Sequence, residues 1–169
     1  MSQLLRSTLE SSAAGAKKVS KSSDPRITPA VYPPLPTQAN EPGRNYFFLG
    51  WPVNAQFFDE FAKYYKLDGL DDDNRMISLI SIIKRVGTGY NLRLVDAKVF
   101  SEVPPDFVVN RSGTSVMEMV ALCSTGSPQS MDLRPTVQQL EWLTNAFGIP
   151  PQWLEDAYPK EEFAIHCDL

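Results

Sequence analysis

Proline restricts this chain more than any other residue. Its ring fixes φ at about −65° and removes an N–H, so neither a helix interior nor a central strand runs through it. Six of the 14 prolines, Pro25, Pro29, Pro33, Pro34, Pro36 and Pro42, fall before Arg44 among seven serines. That stretch has a net charge of +2 and the rest of the chain −6, giving −4 overall. Its sparse apolar surface cannot offset about 1–2 kcal/mol of backbone entropy per ordered residue. The expected organisation is a disordered Ser/Pro-rich arm over residues 1–43, a single domain over 44–158 and a C-terminal tail over 159–169.

Within the arm, Tyr32-Pro33-Pro34-Leu35-Pro36 is the sharpest local motif. Its pre-formed polyproline II geometry suits the aromatic-lined grooves that dock proline-rich peptides. The bland use of such a string is a stiff spacer. Leu4, Leu5, Arg6, Leu9, Lys17, Lys18 and Lys21 loosely resemble a mitochondrial presequence, against which Glu10 counts. No early apolar run has the length of a secretory h-region, and none that of a membrane span. These features predict a soluble, intracellular chain, cytoplasmic or, alternatively, mitochondrial, with no membrane association. An acidic balance argues against nucleic acid, whose affinity rests on lysines and arginines.

The 43% hydrophobic content is enough for a core in the remaining residues. Asn45 to Gly50 reads as a buried strand, followed by a helix capped by Asn54. Its stripe of Phe57, Phe58, Phe61, Ala62, Tyr64 and Tyr65 should face the sheet, or line a pocket there. Asp68, Asp71, Asp72 and Asp73 invite a calcium reading, but an EF-hand loop needs glycine and glutamate where this sequence has other residues. A second, largely buried helix is expected over Asn74 to Val86, ended by Gly87-Thr88-Gly89. That glycine pair follows a helix instead of preceding one, so it is no phosphate loop.

Tyr90, Leu92 and Leu94, then Val95, Ala97 and Val99, suggest a strand with a bulge or phase change. Phe107 to Ser124, turning at Asn110-Arg111-Ser112-Gly113, reads as a hairpin whose second arm is a central strand. Glu118 is the exception in that apolar arm, expected to sit near its solvated end or to pair with Arg93 or Lys98. Asn110-Arg111-Ser112 fits a glycosylation acceptor but reads as a polar turn. Thr136 and Gln139 match a capping box, and Gly148 ends the helix they start. On it, Trp142 points away from Val137 and Leu140. A short helix over Gln152 to Tyr158, bearing Trp153, would cover Trp142; otherwise both tryptophans stay exposed for a partner.

Catalytic signals are sparse. The single histidine, His166, stands beside Cys167 near the C-terminus, and a dyad with Cys123 would require that segment to cross a central strand. No metal or cofactor constellation is legible, and the sequence leaves a Cys123–Cys167 bridge and the oligomeric state open. The fold class is α+β: a small antiparallel or mixed sheet of three to five strands with helices mainly on one face. The expected function is a non-enzymatic protein-interaction or binding domain, using Pro33, Pro34, Leu35, Pro36, Trp142 and Trp153. The alternative is a small-molecule-binding domain, or a histidine-independent enzyme, with Phe57, Phe61 and Tyr65 lining a pocket between the first helix and the sheet.

Overall fold

The computed structural model describes residues 24–26, 28–67, 77, 78, 81 and 92–163. Five strands form one antiparallel sheet: β1 (Phe47–Pro52), β2 (Arg93–Lys98), β3 (Val108–Arg111), β4 (Thr114–Ser124) and β5 (Gln152–Glu155). β4 is the central strand. Met117 pairs with both Ala97 and Val108, and Val120 with both Leu94 and Trp51, so β2 runs along one edge of β4 and β3 then β1 along the other. The β3–β4 turn is Ser112-Gly113, both at positive φ, and the Asn110 Oδ1 accepts the Gly113 N–H at 2.9 Å. Two positive φ values in a two-residue loop match the right-handed twist of the strands.

β1 and β4 approach unusually closely at a register shift, where Leu49 faces Cys123 but Gly50 faces Ala121. A Cβ at Gly50 would lie 2.1 Å from the Val120 carbonyl oxygen, which only glycine tolerates. β2, by contrast, pairs with β4 in unbroken register, so the expected bulge is absent from it. Its apolar residues are consecutive because both faces are covered. Leu94 packs on one side; Val95 and Ala97 pack on the other.

Leu49, Trp51, Val120 and Leu122 make the face on which the helices lie. Those helices are α1 (Ala55–Tyr64) and α3 (Val137–Phe147), with the short α2 (Pro128–Asp132), unforeseen in the sequence, between β4 and α3. Phe48, Val95, Met117, Met119 and Ala121 fill the opposite face under Phe107 and Phe163. The outer strands meet at one end: Ala97 bridges to Asp156, and the Ala157 N–H donates to the Asp96 carbonyl at 3.1 Å. The sheet therefore curls towards a closed ring, which shelters its edges.

Three expectations are corrected. Residues 152–155 are strand β5, not helix: they supply the hydrogen bonds of the second edge of β1, with Trp153 opposite Leu49 and Leu154 opposite Phe48 on alternate faces. Residues 24–43, assigned from composition to the arm, include Ala30 and Tyr32 buried against the domain. Phe163, assigned to the tail, is buried on Tyr46 and Phe48. Residues 77, 78 and 81 are helical, as expected for the 74–86 segment. The other residues expected in that helix, Asp68 to Asp73, Gly87-Thr88-Gly89, Tyr90, His166 and Cys167 lie outside the described residues, as do residues 1–23. No helix among the described residues is long and apolar enough to cross a membrane.

Candidate functional site

Two helix termini set the geometry between α1 and α3. The Asn54 side chain accepts the Phe57 N–H at 2.9 Å and donates to Asp106 at 2.8 Å, fixing where α1 begins and hence which way its aromatics face. α1 ends with Lys66 in the left-handed region, the Leu67 N–H reaching the Ala62 carbonyl. For α3, the expected capping box is complete: the Thr136 hydroxyl accepts the Gln139 N–H, and the Gln139 side chain accepts the Thr136 N–H. The buried Trp51 indole donates to the Ile149 carbonyl at 2.9 Å, tying the far end of α3 to β1.

Between the helices the rings of Trp51, Phe147 and Phe57 stack in a column, with centroids 4.6 and 5.2 Å apart. On its solvent side lies a groove of about 420 Å³ lined by Phe57, Phe61, Tyr64, Tyr65, Trp142 and Ala146, with Glu60 and Asn145. Phe61 packs on Tyr65 at 4.4 Å, and Tyr65 meets Tyr64 edge-on at 4.8 Å. Tyr64 is 79% exposed. The groove unites Trp142 with Phe57, Phe61 and Tyr65, which the sequence had divided between two separate sites. It lies between α1 and α3, not between α1 and the sheet, because Phe147 and Trp51 fill the inner space.

No short helix carries Trp153 over Trp142, since Trp153 lies on β5. Its indole donates to the Pro33 carbonyl at 2.9 Å, on the segment Thr28–Pro36, which lies as a strap across the start of α3. There Pro29 bridges to Thr136, the Ala30 N–H donates to the Pro135 carbonyl at 2.7 Å, and the Val137 N–H returns to the Thr28 carbonyl at 2.9 Å. Tyr32 is buried, its hydroxyl donating to the Leu133 carbonyl at 3.4 Å and the Arg134 guanidinium standing 5.1 Å from its ring centre. Pro33 and Pro36 are half-buried; Pro34 and Leu35 face outward.

A polar cluster that the sequence did not reveal occupies the seam where β2 meets the residues after β5. Asp96 and Glu118 are register partners, and Arg111 pairs with Glu118 and stands 3.9 Å from Asp96. Arg111 thus replaces the expected Arg93 or Lys98, because the tight hairpin folds β3 back onto β4 beside Glu118. The Tyr158 hydroxyl donates to Asp96 at 2.9 Å, and Asp156, only 2% exposed, accepts the Tyr158 N–H at 2.9 Å. Burial, with Asp96 beside it, pushes the Glu118 carboxyl up against the opposing pull of Arg111. Among the described residues no three His, Cys, Asp or Glu side chains are grouped to hold a metal ion. Burial pushes the Cys123 thiol up to about 12, leaving it a poor nucleophile.

Only the pairing of strands distant in sequence could have revealed this cluster: nothing within ten residues of Glu118 marks Asp96 or Tyr158 as neighbours. A scan against protein-family models and searches of curated proteins and of solved structures return no match.

Proposed function

We propose that this chain is a non-enzymatic interaction domain whose groove between α1 and α3 receives an apolar or aromatic side chain from another protein. The exposed Tyr64 beside Phe61, Tyr65 and Trp142 carries this reading. Large aromatic side chains lose little conformational freedom on binding and dominate interface energetics. Glu60 on the groove, and Glu141 exposed on the next face of α3, favour a partner with Lys or Arg beside its apolar anchor. A cytoplasmic setting, in which Cys123 stays a free thiol, suits this reading.

Peptides selected from a display library on the full chain should carry such an anchor next to a basic residue. Trp142→Ala should weaken them roughly tenfold to thirtyfold, and Tyr64→Ser, at a solvent-exposed site, should weaken them without changing the unfolding curve. Equal binding to both variants overturns the reading. A volume of about 420 Å³ also falls in the range of small-molecule sites, so compact aromatic compounds form the second arm of the test. Binding of such a compound in the groove, with no peptide selected, replaces the protein partner with a small ligand.

A further inference from the structure

The surface around Trp153, on the other flank of α3, bears independently on what this chain recognises. From its sequence, Tyr32-Pro33-Pro34-Leu35-Pro36 reads as a stiff spacer or as a ligand for some other protein's proline-binding groove. In the structure that segment is held by residues of the same chain. An aromatic donor, the Trp153 indole, bonds the Pro33 carbonyl at 2.9 Å. Tyr32, the residue before the proline pair, inserts between the Leu133–Arg134 loop and the sheet. The backbone of the strap is read by Pro135 and Val137. An indole N–H, a slot for one ring and a backbone rail together match how extended proline-rich segments are recognised: carbonyls aligned for donors, and a stiff chain that loses little entropy on docking.

The strap is anchored at points instead of packed along its length. Val31 is 83% exposed, and a cavity of about 440 Å³ opens between the strap and α3, lined by Ala30, Val31, Val137, Leu140, Glu141 and Thr144. Among the described residues the strap precedes every strand and helix, so it can lift away without unthreading any of them.

We infer that the Leu133–Val137 loop and Trp153 form a receptor for extended proline-rich segments with a tyrosine before a Pro-Pro pair, and that residues 28–36 occupy it in cis until a partner of that chemistry displaces them. A tethered segment competes at an effective concentration on the order of millimolar, so the wild-type chain binds such a partner weakly and a chain with a loosened strap binds it well.

Ala30→Pro removes the N–H that bonds Pro135 and leaves the receptor residues untouched. In a Cys167→Ser background, the labelling rate of Cys123, buried beside Tyr32, reports whether the strap is seated. Ala30→Pro should speed labelling at least tenfold, and a synthetic peptide of residues 28–36 should restore protection. The same peptide with Ala at the tyrosine position should not. Adding Trp153→Phe should weaken the peptide about threefold to tenfold, the effect of losing one neutral hydrogen bond. If Ala30→Pro does not fold, Tyr32→Leu, which keeps apolar bulk and drops the hydroxyl, takes its place. Absence of re-protection at millimolar peptide, or affinity indifferent to Trp153→Phe, overturns the inference. So does protection that appears only as protein concentration rises and tracks dimer formation, which would make a second copy of this chain the occupant.

Discussion

At the scale of single residues, the charged side chains divide by sign of effect. Glu155 accepts from Lys98 at 2.6 Å, from Arg44 at 3.1 Å and from the Asn45 N–H at 3.1 Å. Burial alone would raise its pKa, but these partners outweigh burial and hold the carboxyl below its ordinary value. A carboxyl depressed in the folded state adds stability above its unfolded pKa of about 4.3, and that stability disappears as pH falls through the lower folded value. Glu155→Gln is therefore expected to unfold about 1 kcal/mol more easily at pH 7, since its cationic partners are partly solvated. The difference should close as pH falls below that unfolded value; denaturant unfolding across a pH series checks it. Glu118 has the opposite sign, because desolvation favours its neutral form. Neither environment is legible in the sequence, where Glu155 is 57 residues from Lys98 and Glu118 lies in an apolar run.

At the scale of elements, legibility followed the range of the signal. α1, α3 and the β3–β4 hairpin are declared by residues within four positions of their ends: Asn54, Thr136 with Gln139, Gly148, and Ser112-Gly113. β5 carries no comparable local mark. Four residues beginning Gln152-Trp153 become a strand because β1 has a free edge to pair, a fact about the sheet and not about those residues. The end of α1 retains a local conflict: Lys66 adopts φ 56° where glycine is the usual occupant. Lys66→Gly should relieve that strain and stabilise the domain by about 0.5–1 kcal/mol, read as a raised denaturant midpoint with unchanged slope. A loss of stability would mean that the longer side chain is held by contacts the backbone conformation does not reveal.

At the scale of the whole molecule, α3 is flanked by two grooves of similar size, one towards α1 and one towards the strap, which share Asn145. The opposite face of the sheet is closed by Phe163, whose ring meets Tyr46 at 4.7 Å and Phe48 at 6.0 Å. Phe163→Ala should cost about 3 kcal/mol by opening a cavity there, seen as a lowered denaturant midpoint. An unchanged midpoint would place residue 163 outside the cooperative unit, in the tail that its position near the C-terminus suggested.

The sequence by itself determined the α+β class, the capped helices, the hairpin and the aromatic character of α1, because each depends on residues adjacent in the chain or one helical turn apart. It also singled out Trp142, Trp153, Tyr32 and the prolines without saying how they combine. Tertiary structure decided that Trp142 joins the α1 aromatics, that Trp153 holds Pro33, and that Asp96, Glu118 and Arg111 meet at one seam. These contacts span 7 to 120 residues, and which of them form is settled by strand register and by which edges and faces remain to be covered.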